Sequence, residues 1–169
     1  MQPNYKLKQK KIMKLDEVDI KILKELVADS SQSVKEIAGK VNLSVTPVHD
    51  RIKKMKESGI IKNYTAVLDV EKLGYNLVAY LQVKLIKHRE EIFDEFKARV
   101  LQFDEVIEAA FTIGDYDVML KLLLKDMHHY EDFVLKKISK LDVIYTIKSS
   151  FSFKFMTDNR HLIDKHHIS

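Results

Sequence analysis

Apolar residues recur at helical spacing near the start of the chain and predict two helices there. Asp16 precedes the first helix, and Ser33 with Glu36 forms a capping box before the second. The apolar faces of these two helices comprise Leu15, Val18, Ile22, Leu23 and Leu26, and then Val34, Ile37, Ala38 and Val41. Asn42 then predicts a sharp turn, because asparagine tolerates positive φ better than most residues other than glycine.

A third helix is predicted from its cap, Ser44, to its C-terminal stop, Gly59, with Pro47 in the first turn, where a missing N–H costs little. Its apolar stripe comprises Val45, Val48, Ile52 and Met55. Two short helices joined by a tight turn, with a helix before them to complete the core, make a helix-turn-helix. Residues 60–69 alternate as a strand pair or wing would, and the segment around Gly74 indicates a linker.

From residue 76 onward, strand and helix periods follow one another. The pattern predicts strands at 76–86, 105–113, 116–124 and 143–155, and helices at 89–103 and 127–141. The fold class is therefore α+β: an N-terminal winged helix-turn-helix followed by a ferredoxin-like βαββαβ domain with an antiparallel sheet. The predicted divisions are a basic N-terminal arm (1–14), the helix-turn-helix domain (15–63), the wing and linker (64–75), the βαββαβ domain (76–156) and a C-terminal tail (157–169).

The second face of the predicted sheet is unusually apolar. Val78, Tyr80 and Ile86 alternate outward from the first strand, and Met119 and Leu123 from the third, where a solvated face would be polar. Nothing else in the chain is apolar enough to cover this face. We therefore expect a second copy of the same sheet to cover it, giving a homodimer, from which larger closed rings can form.

Positive charge is concentrated in the N-terminal part of the chain. Residues 1–63 contain 14 Lys or Arg against 8 Asp or Glu, whereas residues 64–169 contain 15 against 17. Such an excess favours a polyanion as the partner of the helix-turn-helix. The arm from Lys6 to Lys14 is either a further, salt-sensitive DNA contact or a disordered segment.

The rest of the composition narrows the setting. The chain has no cysteine, which excludes disulfides, thiolate metal sites and cysteine nucleophiles. No apolar run approaches the roughly 18 residues of a membrane helix, and the first residues lack the features of a secretory signal. We expect a cytoplasmic protein without a membrane partner.

The third helix is the predicted recognition helix, because the second helix of the motif enters the major groove. Opposite its apolar stripe, Thr46 offers a hydroxyl and a methyl, His49 a ring N–H, and Lys53 a charge for guanine or phosphate. Arg51 and Lys54 flank this face toward the phosphates. Phosphates repel a carboxylate unless it accepts from a cytosine amino group or pairs with a neighbouring cation, and we expect Asp50 to pair with Lys53, Lys54 or Arg51. The predicted DNA-binding residues are Ser44, Thr46, Pro47, His49, Asp50, Arg51, Lys53 and Lys54.

Two other classes of protein share parts of this pattern. A three-helix packing module with a solvated basic face would explain the helices without DNA. An enzyme would need partners for Asp115 and Asp117, yet no nucleophile is indicated near them, and adjacent His128 and His129 are splayed by about 100° on a helix. The other histidines considered lie in a polar tail that is either a surface helix or a frayed end: His161, His166 and His167. We predict no enzyme activity, no catalytic residue, no metal and no cofactor.

Three stretches together resemble the Lrp/AsnC, or feast/famine, transcription regulators: "LDEVDIKIL", "LSVTPVHDRIKKMKESGIIKNYTAVLD" and "TIGDYDVMLKL". The resemblance runs from about Leu15 to Phe155. It implies a winged helix-turn-helix that binds double-stranded DNA and a βαββαβ domain that forms homodimers and assembles them into octamers. It also implies that an amino acid or related small effector binds to the second domain.

The stretch "TIGDYDVM" resembles the effector turn of that family, although a tight hairpin alone would also explain each of its residues. The implied effector-binding residues are Thr112, Gly114, Asp115, Tyr116, Asp117, Thr146, Lys148 and Ser150. In the functional interpretation, main-chain N–H groups of the turn hold a ligand carboxylate and an aspartate accepts its ammonium, with hydroxyls from a neighbouring subunit. Lys148 departs from the family pattern, in which the last strand carries two hydroxyl residues at alternate positions.

The predicted function is that of a sequence-specific DNA-binding transcription regulator modulated by an amino acid bound between subunits. Two alternatives keep the same fold. One is a DNA-binding or architectural regulator that needs no effector, and the other is a sensing or assembly protein that does not bind DNA.

Overall fold

The structure, a computed structural model, describes residues 14–153, and these divide between Val67 and Leu68 into two compact units. The predicted basic arm, apart from Lys14, and the predicted tail lie outside the described residues. Within residues 14–153, no helix is long and apolar enough to cross a membrane.

The first unit contains the three predicted helices: α1 (Glu17–Ala28), α2 (Val34–Lys40) and α3 (Val45–Glu57). Ser33 and Glu36 form the predicted capping box of α2. Asp16 caps α1 as predicted, and Asp19 completes a second box that the sequence did not show, because a box is usually recognised by Glu or Gln at that position. Both starts are therefore fixed by local hydrogen bonds.

The core of the first unit is built from the predicted apolar faces. Its buried side chains are Ile22, Leu23, Leu26, Ile37, Ala38, Val48, Ile52 and Met55. Val45, predicted to be buried, is instead 45% exposed. It is the first residue of α3, and the helix packs against the core through its later turns.

The predicted strand pair in residues 60–69 is wrong for the described chain, since no strand forms there. Most side chains of this segment are exposed, among them Val67 and Leu68. The alternating apolar residues therefore do not form a buried face that would stabilise a strand. Tyr64 instead lies beneath Lys56, whose Nζ is 4.7 Å from the ring centroid.

The second unit is the predicted βαββαβ domain. Its elements are β1 (Leu77–Leu85), α4 (Glu90–Val100), β2 (Val106–Phe111), β3 (Val118–Leu124), α5 (Met127–Lys136) and β4 (Ile144–Phe151). The antiparallel sheet has the order β2-β3-β1-β4, which confirms the ferredoxin-like arrangement. The last helix ends earlier than predicted, with Lys137 at its C-cap, and a 3-10 turn at Ile138–Lys140 follows it.

One face of the sheet packs against the helices. Ala79, Leu81, Val83 and Leu85 of β1 are buried there, as the alternation predicted, with Phe96 of α4. The strand registers place the intervening side chains on the opposite face, which we call the open face. The open face comprises Val78, Tyr80, Gln82 and Lys84 of β1, Glu108 and Ala110 of β2, Met119, Lys121 and Leu123 of β3, and Thr146, Lys148 and Ser150 of β4.

Candidate DNA-binding and effector-binding sites

A tight turn between α2 and α3 sets the direction of the recognition helix. Asn42 has a φ of 56°, as the sequence predicted. The N–H of Leu43 donates to the carbonyl of Ala38 over 3.0 Å, which closes the end of α2. The chain therefore reverses within a few residues and starts α3 at once.

The exposed face of α3 carries most of the predicted DNA-binding side chains. Thr46, His49, Asp50, Lys53 and Lys54 are all exposed. Their spacing of three, four, seven and eight residues from the first to the others places them on one side of the helix, away from the buried stripe. α3 is 13 residues long, and the major groove of B-DNA is wide enough to admit an α-helix.

Ser44 and Pro47 lie at the N-terminal end of the same helix. Ser44 occupies the cap position with extended backbone, but its side chain makes no capping hydrogen bond. Its hydroxyl is therefore not committed to the helix and is exposed beside the free main-chain N–H groups of the first turn. Pro47 is half-buried and has no N–H, so it can contribute only apolar contact.

Arg51 is not placed to reach phosphate. Its Nη1 donates to Asp16 Oδ2 over 2.6 Å and to Asp19 Oδ1 over 2.7 Å, joining α3 to the start of α1. The hydrogen bonds to Asp19 and then to Asp16 raise the pKa of the Arg51 guanidinium. The main-chain N–H of Asp19, followed by Arg51, lowers the pKa of Asp16. The expected contact of Arg51 with phosphate is therefore corrected: in the free protein Arg51 holds the recognition helix in place.

Asp50 has a partner other than those predicted. Its Oδ1 lies 3.5 Å from His49 Nδ1, both side chains being well exposed, whereas Lys53 lies 3.9 Å from Glu57. The expected pairing of Asp50 with Lys53, Lys54 or Arg51 is therefore wrong for the free protein. Because the contact between Asp50 and His49 is long and exposed, it leaves both side chains able to turn toward a base edge.

A groove of about 320 Å³ runs beside the recognition helix and was not apparent from the sequence. Its lining comprises Leu26, Ser30, Gln32, Val34, Ile37, His49, Ile52, Lys53, Lys56 and Tyr64. Its apolar lining residues are buried or half-buried, whereas its lysines and hydroxyl-bearing side chains are exposed. Lys56, whose ammonium lies over the Tyr64 ring, extends the basic surface of α3 beyond the predicted residues.

The "TIGDYDVM" stretch forms a tight hairpin between β2 and β3. Gly114 has a φ of 152°, in a region that side chains disfavour. Thr112 closes the turn twice: its N–H donates to the carbonyl of Asp117 over 2.9 Å, and its Oγ1 donates to the carbonyl of Tyr116 over 2.7 Å. Asp115 is exposed at the tip. The backbone of Gly114 and the hydrogen bonds of Thr112 therefore explain the tight hairpin without a ligand.

Asp117 anchors the hairpin to the end of β1. Its side chain is only 10% exposed, its Oδ2 accepts the N–H of Leu85 over 2.8 Å, and its Oδ1 lies 2.8 Å from His88 Nε2. The N–H of Asp117 donates to the carbonyl of Val83 over 2.9 Å. Both carboxylate oxygens are therefore engaged within the chain. Sequence reasoning missed His88, which lies between β1 and α4 with no local signal for this contact.

The implied residues of β4 lie apart from the hairpin in one protomer. Thr146, Lys148 and Ser150 alternate on the open face and are paired with Lys84, Gln82 and Tyr80 of β1. Two strand spacings, roughly 10 Å, separate β4 from β3. The structure therefore brings the eight implied effector-binding residues together as two groups, the hairpin and the β4 row.

A buried ionic cluster at the other end of the hairpin was also missed. Glu105 is 8% exposed, and Lys137 Nζ donates to both of its carboxylate oxygens over 2.8 Å. His129 Nδ1 accepts the N–H of Lys125, which leaves its Nε2 to donate to Glu105 Oε1 over 3.1 Å. Burial raises the pKa of Glu105, but hydrogen bonds from Lys137, its own N–H and His129 outweigh it and lower the pKa.

This cluster joins the start of β2 to the end of α5. No group of three or more His, Asp or Glu side chains in residues 14–153 has the geometry of a metal site. The histidines of the predicted tail lie outside the described residues.

Comparison with known proteins supports both halves of the fold. Residues 15–62 match the winged helix-turn-helix DNA-binding family, and residues 78–162 match the Lrp/AsnC ligand binding domain. Fold and sites thus define a helix-turn-helix transcription regulator with a ligand-binding domain.

The chain belongs to the Lrp/AsnC family, which confirms the resemblance seen in the sequence. It is 35% identical over 120 residues to the HTH-type transcriptional regulator FL11 of Pyrococcus horikoshii, covering 71% of this chain and 78% of the relative. It is 30% identical over 146 residues to the leucine-responsive regulatory protein of Rhizobium meliloti, covering 86% and 94%.

Two solved structures show the same architecture. A Neisseria meningitidis transcriptional regulator in complex with L-Met has a TM-score of 0.82 and 29% identity, with 86% of this chain and 94% of that chain covered. An AsnC family transcriptional regulator from Agrobacterium tumefaciens has a TM-score of 0.81 and 33% identity, with 85% and 94% covered.

Proposed function

We propose that this regulator reads a specific DNA sequence through α3 and that an amino acid bound at its second unit modulates that reading. The exposed row of Thr46, His49 and Lys53 carries the DNA half of the proposal. These side chains project from a helix whose position is fixed by Arg51 and by a buried core, so they are preorganised for the groove.

The effector half is supported by the ligand-binding family match and by the similar Neisseria regulator, which binds L-Met. In this chain the hairpin of residues 112–117 offers main-chain N–H groups and the exposed carboxylate of Asp115, which suit an amino acid's carboxylate and ammonium. Thr146, Lys148 and Ser150 would complete the site from a neighbouring subunit.

Homodimers assembled further to octamers are part of the proposal, because the open face needs a cover. Met119 is 39% exposed on it, and Val78, Tyr80 and Leu123 are half-buried. An apolar sheet face of this kind is stabilised when a second copy packs on it. The variant Met119→Glu is expected to shift the protein to smaller species in sedimentation, and an unchanged distribution would exclude this face as the interface.

The DNA proposal is tested by selecting bound genomic fragments and titrating the best of them at several salt concentrations. Log affinity should fall steeply with log salt. Thr46→Val with His49→Ala should relax sequence preference while retaining most non-specific affinity, whereas Lys97→Met on α4 is the matched control. Absence of salt-dependent binding to any duplex would favour the alternative of a sensing protein that does not bind DNA.

Repeating the fragment selection with and without a panel of amino acids distinguishes an effector-modulated regulator from an effector-independent one. An amino acid that changes affinity or assembly supports the effector proposal through linkage between the two units. If no amino acid changes either property, the alternative of an effector-independent regulator is correct.

A further inference from the structure

Two lysines are close neighbours on the open face of the second unit. In the register of β1 and β4, Lys84 is paired with Thr146, and Gln82 with Lys148. Lys84 and Lys148 are therefore diagonal neighbours, separated by roughly 7–8 Å at the backbone. Their long flexible stems allow both ammonium groups to reach one point above the sheet.

The open face carries more positive than negative charge. Its charged side chains are Lys84, Lys121, Lys148 and Glu108. Glu108 lies opposite Lys121 in the register of β2 and β3. In residues 14–153 neither Lys84 nor Lys148 has an ion pair or hydrogen bond to a side chain of the chain. Two ammonium groups this close repel each other, and an anion held between them would remove that repulsion.

The neutral side chains around the two lysines also suit an anion. Gln82, Thr146 and Ser150 lie on the same face and can each donate a hydrogen bond. A carboxylate has acceptor sites for several donors at once, and its hydrogen bonds to ammonium groups are among the stronger ones in proteins. The surroundings are thus those of a carboxylate site.

We infer that the effector is an acidic amino acid whose side-chain carboxylate is received by Lys84 and Lys148. The inference rests on the proposed function, which places an effector between subunits at this face. When a second subunit covers the face, a neutral effector would leave two ammonium groups desolvated without a counter-ion, and a basic effector would be repelled. An acidic side chain meets both requirements.

The test is calorimetric titration of the full-length protein with pairs of equal size and different charge: L-glutamate with L-glutamine, and L-aspartate with L-asparagine. L-methionine and succinate complete the panel. At least one acid should bind about 10-fold or more tightly than its amide, the difference expected for charge-assisted hydrogen bonds. Tighter binding of the amides or of L-methionine would overturn the inference while leaving the effector proposal intact.

Other outcomes of that titration are equally decisive. If no member of the panel binds, the inference is overturned, and the fragment selection with the wider panel of amino acids decides the effector proposal separately. If succinate binds as tightly as the acids, the amino-acid assignment is wrong.

Variants show whether the two lysines recognise the charge. Lys148→Met and Lys84→Met retain the apolar stem and remove the charge, so each should weaken binding of the acid about 10-fold while changing its amide less than about 2-fold. Lys97→Met on α4 is the control and should change neither. Sedimentation shows whether each variant still assembles. If one of the two variants fails to fold, the other still tests the inference. Equal weakening of acid and amide in both variants would overturn the inference.

Discussion

Replacing Arg51 with methionine tests whether this cation holds the fold or contacts DNA. The variant keeps an unbranched stem of similar volume but leaves Asp19, which is 5% exposed, without its cation. Removing one partner of a fully buried ion pair costs about 3–5 kcal/mol. Because the Arg51 side chain is 31% exposed, water can replace part of the lost interaction, so we expect a cost of about 2 kcal/mol.

A loss of this size should be easy to measure in the first unit, whose described part is residues 14–67. For a domain of that length, 1 kcal/mol shifts the melting temperature by about 4–8 °C, so Arg51→Met should lower it by about 10 °C. Calorimetry gives the melting temperature, and amide hydrogen exchange in α1 shows whether the loss is local. Assayed well below that temperature, DNA affinity should change less than about 3-fold.

Lys54→Met on the same helix is the matched control with the opposite expectation. Lys54 is exposed, so its loss should leave the melting temperature within about 2 °C. It should weaken DNA binding uniformly across sequences and reduce the slope of log affinity against log salt by about 1. If Arg51→Met melts like the parent protein but loses DNA affinity and salt slope, the assignment of Arg51 to the fold is refuted.

The remaining predictions concern the second unit and the helix turn. Asp117→Ala should cost about 2 kcal/mol by orphaning a buried N–H, whereas His88→Ala should cost less than about 0.5 kcal/mol because the ring is exposed; chemical denaturation measures both. Glu105→Gln should lower the melting temperature at neutral pH. Folding lowers the pKa of Glu105, so its carboxylate stabilises the fold fully above the unfolded-state pKa of about 4.3. The difference in melting temperature between the two proteins should shrink as the pH falls through the folded-state pKa, and calorimetry across pH measures it. Asn42→Val should cost about 1–2 kcal/mol at a φ of 56°, while Asn42→Gly should not destabilise, in the same denaturation assay. Asp115→Asn should weaken effector binding in calorimetric titration about 10-fold or more without changing the melting temperature.

Features fixed by neighbours in sequence could be predicted. The box of Ser33 and Glu36, the positive φ of Asn42 and the alternation of β1 each depend on residues a few positions apart. The βαββαβ order of elements followed from the succession of strand and helix periods along the chain, and few sheet topologies are compatible with that order. Val45 was misassigned, since periodicity gives a direction around the helix but does not show where the core ends along its axis.

Features that join distant parts of the chain could not be predicted. Arg51 lies 35 positions from Asp16, and Asp117 lies 32 from the N–H it accepts. A charged residue on a helix next to other charges has the same appearance in a sequence whether it meets phosphate or a neighbouring helix. The number of polar partners a side chain already has is a property of the tertiary structure alone.

The same limitation changes how the effector turn should be tested. Asp117 is one of the two aspartates of the turn that could accept the ammonium, but both of its oxygens are engaged within the chain, so Asp117→Ala would disturb the hairpin whether or not a ligand binds there. Asp115 is the exposed carboxylate of the turn, and within residues 14–153 its side chain makes no hydrogen bond or ion pair that a substitution would remove. An ammonium can reach Asp115 directly, whereas at Asp117 it must displace His88. Loss of effector response in Asp117→Ala therefore carries information only if Asp115→Asn, with its melting temperature unchanged, loses the response too.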